Sequence, residues 1–455
     1  MIEGLKPYTE YKDSGLPWLG RCPAHWKVRR TKILFHERVQ KGFPNEPLLA
    51  ATQTKGVVRK EDYETRTVTA QKDLHLLKLV EVGDYVISLR SFQGGIEVAH
   101  HRGIISPAYT VLEPRGDATS GYYTKFFKSR QFIASLSLFV TGIREGQNVD
   151  YERMSRAEMP CPPPDEQAAI VRFLDYADSK IDGFIRAKKK LIGLLNEKKQ
   201  AIIHRAVTRG VHHNAPLKPS GIPWLGDIPM HWEIRRAKYL FREADQRSSE
   251  GKETHLAMSQ KLGLVPSDQV QSTLRSESYA GGKLCKAGDL VLNRLKAHLG
   301  VFAVAKQSGV ISPDYSVFRK RGNIDMDYFE QLLRSSACRR ELRIRAKGIV
   351  EGFWRLYTDD FYDIRLPVPP IIEQTKIMEA VAEQTADLNT AIARVEREIA
   401  LMQEYRARLR TDIVTGMLDV REVAAQLPAR PAHHSADPVL DNAGEELDLE
   451  LEEII

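Results

Sequence analysis

Two stretches of the chain carry the same long apolar rhythm. Ile170, Leu174, Ala177, Ile181, Phe184, Lys188, Leu191, Leu195, Lys198 and Ile202 follow alternating steps of four and three residues. So do Val381, Thr385, Leu388, Ile392, Val395, Ile399, Met402, Arg406, Leu409 and Ile413. Eight positions in each set of ten are apolar. Such a seam is narrower than the face of a helix packed on a globule, so it predicts two long helices that pair as a coiled coil. A proline cluster precedes each stretch and marks its start. Gly183 and Gly193 weaken the first helix by about 1 kcal/mol each relative to alanine, so pairing must support it. Upstream of each cluster the texture is different. Short β-rich runs (Tyr85–Leu89, Thr110–Leu112, Val301–Val304) alternate with turn residues and short helical patterns such as Tyr122–Phe132 and Tyr328–Arg345.

The chain is built twice on one plan. Ser14–Phe35 and Ser220–Phe241 are identical at 14 of 22 positions, which chance does not supply. Within them Ser-Gly-Leu-Pro-Trp-Leu-Gly becomes Ser-Gly-Ile-Pro-Trp-Leu-Gly, and His25-Trp26 becomes His231-Trp232. The register continues through Gly83-Asp84 and Gly288-Asp289, then Ser106-Pro107 and Ser312-Pro313, and closes on Glu166-Gln167 and Glu373-Gln374. A repeat of roughly 200 residues is too long for a solenoid and reads as a duplicated domain pair.

Composition narrows the class. In 455 residues, 42% are hydrophobic and 28% charged, the balance of a soluble globular protein. The longest apolar stretch, Phe132–Val140, is too short for a bilayer, and the first residues have no signal-peptide pattern, so a cytoplasmic protein is expected. The four cysteines have no metal-ligand or disulfide spacing. The net charge of +7 hides an asymmetry. The segment after Val420 holds nine acidic residues against Arg421 and Arg430, or −7, which leaves +14 on the preceding 420 residues. A body this basic suits a polyanion such as nucleic acid, and the acidic end reads as a solvated tail.

The ordered set of motifs, found twice, resembles the DNA-specificity subunit of type I restriction–modification enzymes. It is carried by the two Pro-Trp-Leu-Gly…His-Trp segments, the two Gly-Asp strands and the proline clusters ending in Glu-Gln, and it covers about Lys12 to Asp419. The resemblance implies an α+β fold. Two duplicated mixed α/β target-recognition domains would lie in inverted arrangement, separated by an antiparallel coiled coil of two long helices. It implies a noncatalytic chain that binds double-stranded DNA, each domain reading one half of a bipartite asymmetric site. Two methyltransferase subunits and restriction/translocase subunits would assemble on it. That complex would be an adenine-specific DNA methyltransferase and ATP-dependent endonuclease, with S-adenosylmethionine, ATP and Mg2+ bound by the partners and no membrane involved. The absence of an Asn-Pro-Pro-Tyr-type tetrapeptide and of a P-loop fits that division of labour. The competing reading is a coiled-coil DNA-binding or adaptor protein without restriction partners.

On this plan residues 1–162 form the first recognition domain, 163–209 the first helix and 210–219 a linker. Residues 220–368 form the second domain, 369–419 the second helix and 420–455 the acidic tail. Base readers should be long polar side chains on loops that differ between the halves. Three loop pairs qualify. In the first domain they carry Gln53 and Lys55, then Arg90 and Gln93, then Arg144, Gln147 and Asn148. In the second they carry Gln260 and Lys261, then Arg294, Lys296 and His298, then Arg355. Any one of these could equally be a solvated surface side chain. Trp18, Trp26, Trp224 and Trp232, with His25 and His231, read as anchors that fix the chain's path into each domain. Glu166 and Glu373 suit the positive end of a helix. Lys188–Lys190 could touch DNA phosphate, although such lysines are more often simply solvated.

Overall fold

The computed structural model describes residues 4–53, 55–62, 73–118, 120–141, 148–212, 214–259, 262–270, 279–348 and 354–428. They form an α+β fold with two long helices, Pro164–Arg209 and Ile371–Val414, of 46 and 44 residues.

The chain divides into two compact units that do not follow the linear order of its domains. One is Met1–Lys189 with Glu396–Pro431, and the other is built on Lys190–Val395. Each therefore holds one globule, the start of one long helix and the end of the other.

The first unit is built around an antiparallel four-stranded sheet. Its order is Phe35–Glu37, Thr110–Pro114, Tyr85–Ile87, Glu97–Val98, with Val111 opposite Val86. A separate two-stranded ribbon pairs Lys27–Arg30 with Glu158–Cys161, so the opening segment is clamped to the run that leads into the helix. The core is aromatic. Phe35, Tyr85, Tyr123 and Phe127 are fully buried, and Tyr85 meets Phe127 edge to face at 5.0 Å. Each such pair adds about 0.5–1.5 kcal/mol beyond its buried area. The two helix segments of this unit run antiparallel: Asp178 meets Arg410, Asp182 meets Arg406, and Lys188 meets Glu398 at 2.7 Å. Lys188 is thus committed to an ion pair and lies over the Phe184 ring, which argues against the phosphate role considered for it.

The expected tail starts inside this unit. The second long helix stops at Val414, not near Asp419, and Arg421–Gln426 forms a further short helix. Val420 and Ala424 are buried against the aromatic core. Their apolar side chains were masked in the sequence by the acidic residues that follow. Residues 429–455 lie outside the described part.

The second unit repeats the design. Its sheet order is Phe241–Ala244, Tyr315–Lys320, Leu290–Asn293, Phe302–Val304, with Val317 opposite Val291. Glu233–Arg236 pairs with Arg365–Val368. Ile203, Ala206 and Val207 from the end of the first helix share one core with Ile377 and Val381 from the start of the second. The stretch read as a linker is partly ordered pairing, because Leu217–Pro219 forms a strand with Asp227–Pro229. Among the described residues no helix is long and apolar enough to cross a membrane, and no cluster of metal-ligating side chains occurs.

Candidate nucleic-acid interface

The site rests on a joint that recurs in both units. In the first, Glu166 lies in the opening turn of the long helix with its side chain buried. Its Oε1 accepts from Trp26 Nε1 at 2.8 Å and from the Tyr8 hydroxyl, and its Oε2 meets His25 Nε2 at 2.7 Å. Burial and the bond to Glu166 push the Tyr8 phenol far above its ordinary pKa, so it stays a donor. In the second unit Glu373 receives Trp232 Nε1 at 3.1 Å and His231 Nε2 at 2.7 Å. The neighbouring glutamines complete the joint. Gln167 Nε2 donates to the carbonyls of Asp117 and Pro162, and Gln374 Nε2 donates to Pro369 while its Oε1 accepts from the Asp325 amide. The Glu-Gln pair is therefore a clasp holding globule, proline run and helix in one geometry. Trp26 and Trp232 are fully buried, as expected of anchors.

A second tie was not read from the sequence. The buried Tyr122 hydroxyl donates to the Val414 carbonyl at 2.8 Å, and the Tyr328 hydroxyl donates to the Val207 carbonyl at 2.8 Å. Each globule thereby caps the end of the long helix that did not start from it. The glycines just beyond, Gly416 and Gly210, have φ of +79° and +73° and let the backbone pass close to Trp26 and Trp232.

On this frame the first unit gathers its loops. Gln53 and Lys55 are exposed on the turn between strands Leu49–Thr52 and Gly56–Arg59. Arg90 and Gln93 are exposed at the helical turn Ser91–Gly94. The Gln53 side chain lies over Gly94, where an added Cβ would come within 2.9 Å of it. Lys128 binds both turns from beneath, donating to the Gln53 carbonyl at 3.1 Å and the Gly94 carbonyl at 2.9 Å while pairing with buried Glu97. Burial raises the Glu97 carboxyl above the ordinary range, and Lys128 opposes that rise. Half-buried Asn148 sits on the strand Asn148–Val149, which packs against the Ser91–Gly94 turn. The first two expected loops and Asn148 of the third thus come together; Arg144 and Gln147 lie outside the described residues.

In the second unit the segments that carry Arg294 and Arg355 meet. Arg294 is half-buried, donating from Nε to the Asp314 carbonyl at 2.7 Å, and Arg355 reaches the Asp314 carboxylate at 3.0 Å. The Leu356 amide donates to the Arg294 carbonyl, fixing one loop to the other. Lys296 is half-buried in the same turn, whose amide reaches Asn293 Oδ1. Gln260 and Lys261 lie outside the described residues, as does the side chain of His298. Sequence reasoning passed over two residues here. Trp354 is 40% exposed beside Arg355, and Asp314 engages both arginines. The Gly-Asp strands resolve as expected into turns with φ of +90° at Gly83 and +86° at Gly288. Asp84 is buried and accepts from Arg38 at 2.7 Å, and Asp289 pairs with Arg319.

Comparison with known proteins bears on this arrangement. No family model matches the chain. Over 340 residues it is 23% identical to the specificity subunit of the type I restriction enzyme MjaVIII of Methanocaldococcus jannaschii, covering 71% of this chain and 76% of that one. Over 438 residues it is 22% identical to the putative MjaX specificity subunit of the same organism, covering 89% and 96%.

The chain is similar to type I specificity subunits.

One solved structure shares the fold. A chain solved in work on complex assembly and conformational transition of the type I R-M system matches 86% of this chain and 98% of its own length, with a TM-score of 0.53 and 13% identity. The HsdS subunit of Thermoanaerobacter tengcongensis matches 87% and 97% with a TM-score of 0.38 and 16% identity.

Proposed function

We propose that this protein is the DNA-recognition subunit of a type I restriction–modification complex, with each unit reading one half of a bipartite, asymmetric site in double-stranded DNA. The observation that carries this reading is the pairing of a repeated frame with unlike loops. The Trp-His-Glu joint and the tyrosine tie recur almost unchanged, while the loops are held by Lys128 and Glu97 in one unit and by Asp314 in the other. A frame that repeats while its tips diverge suits two readers of different base sequences. Arginine and glutamine at those tips are the side chains that read guanine and adenine in the major groove. In this reading the chain is not an enzyme. Two methyltransferase subunits and the restriction subunits dock on it and bring S-adenosylmethionine, ATP and Mg2+.

The test is co-purification with a cognate methyltransferase subunit followed by selection from random-sequence duplex DNA. The proposal expects enrichment of two specified segments separated by an unspecified gap. Recovery of a single continuous motif, or of none, would contradict it.

A further inference from the structure

The second unit contains a cavity of about 480 Å3 where the end of the first long helix, the start of the second and the globule meet. Its lining includes Lys199, Arg334, Arg339, Gln331, Thr385 and Asn389. Arg334 is paired with Glu330 at 2.9 Å. Arg339 Nε is buried with no hydrogen-bond partner, and among the described residues neither Arg339 nor Lys199 makes a side-chain ion pair.

At the matching place in the first unit the charges are paired internally. There Lys125 pairs with Asp175 at 3.0 Å and with Asp178 at 2.9 Å, Arg410 also reaches Asp178, and Arg406 pairs with Asp182. Counting along the repeat from Glu166 and Glu373, those three aspartates become Ala382, Thr385 and Asn389. Counting from Val414 and Val207, Arg406 becomes Lys199. The second unit has therefore kept a cation and gained Arg339, where the first has Ile133, but has lost every facing carboxylate. Arg406 and Arg410 of the first unit also bury an unpaired Nε, but each reaches an aspartate, whereas a buried guanidinium with no anion is costly.

We infer that this cavity binds a phosphate group. The Arg339 guanidinium, the Lys199 ammonium, the amides of Gln200, Gln331 and Asn389 and the Thr385 hydroxyl line it, and that many donors match an anion with three or four oxygens better than a two-oxygen carboxylate. The volume lies in the range of small-ligand sites. A DNA backbone and a free nucleotide offer the same group. None of the proposed base readers lines the cavity, so this inference stands or falls separately from the assignment of DNA reading.

The experiment titrates inorganic phosphate into the full chain at constant ionic strength, following 31P line width and the thermal midpoint. Wild type should show saturable broadening and a rise in midpoint. K199M/R339M should bind roughly tenfold more weakly or less tightly still, as expected for lost charge-assisted bonds. Because those changes touch a packed region, T385D/N389D provides a second variant. It imports the carboxylates of the first unit, should keep the fold by circular dichroism, and should also lose saturable binding. Equal responses in wild type and T385D/N389D would overturn the inference, since phosphate also stabilises proteins nonspecifically. Displacement of phosphate by duplex DNA would assign the group to the DNA backbone, and displacement by a mononucleotide but not by DNA would assign it to a free nucleotide.

Discussion

Trp26 and Glu166 stand 140 positions apart in sequence, and the indole Nε1 donates to the carboxylate Oε1 at 2.8 Å. His25 and Tyr8 converge on the same carboxylate. One side chain in the first turn of a long helix thus satisfies three groups from the opening segment. That explains why Pro-Trp-Leu-Gly…His-Trp and Glu-Gln occur together in each half.

Removing that acceptor should be severe. Glu166→Ala leaves a buried indole N–H and phenol unpaired, at about 1–3 kcal/mol for each orphaned group. Glu166→Gln retains an acceptor for Trp26 and should cost less. Glu373→Ala should fall between them, because that carboxylate is 15% exposed and receives two donors. Thermal melts of the three variants would check the order.

Lys128 is expected to couple stability to loop geometry. Lys128→Met frees the Gln53 and Gly94 carbonyls and leaves Glu97 buried without its cation, a loss of roughly 3–5 kcal/mol if Glu97 stays charged. The carboxyl is already raised by burial, so its contribution to stability is greatest below the ordinary carboxylate range and is lost as pH rises through the raised folded value. Without Lys128 that rise is unopposed, and the destabilisation should be larger at pH 8 than at pH 5. Unfolding midpoints of wild type and variant across that interval measure it, and a deficit independent of pH would argue against a buried Glu97 charge.

The short helix after Val420 should matter to the first unit. Truncation after Asp419 removes Val420 and Ala424 from the core, where full burial of an aliphatic side chain contributes about 1.5–3 kcal/mol. The truncated chain should melt at a lower temperature, and an unchanged melt would show that this packing is energetically idle.

Much of the frame was legible because it is periodic or repeated. The heptads located both long helices, and Gly83 and Gly288 before aspartate located their turns. What stayed hidden is what links distant parts of the chain without local pattern. The Tyr122 hydroxyl and Val414 carbonyl are 292 positions apart, and nothing around either residue signals the other. The available clue was that Tyr122 and Tyr328, and Val414-Thr415 and Val207-Thr208, hold matching places in the repeat. The site was less legible still. Arg294 and Arg355 resemble free base readers in sequence, yet Asp314 engages both, a relation set by folding and not by spacing. Trp354 lies in the third candidate loop of the second domain, but only its neighbour Arg355 was expected to read bases.

In the second unit Trp354→Ala and Arg355→Ala should relax one half of the recognised motif, at about 1–3 kcal/mol per lost base contact. Asp314→Ala should relax the same half by releasing Arg355, whereas Arg294 keeps its bond to the main-chain carbonyl of residue 314. Base preferences measured by DNA selection with each variant would show whether the effect stays within one half.

The most direct test of the account is strand-resolved methylation mapping in cells supplying a cognate methyltransferase subunit, comparing wild type with R90A/Q93A. The account predicts a two-part motif for wild type and, for the variant, degeneracy confined to one part with the other part unchanged. Equal degeneracy in both parts would contradict it.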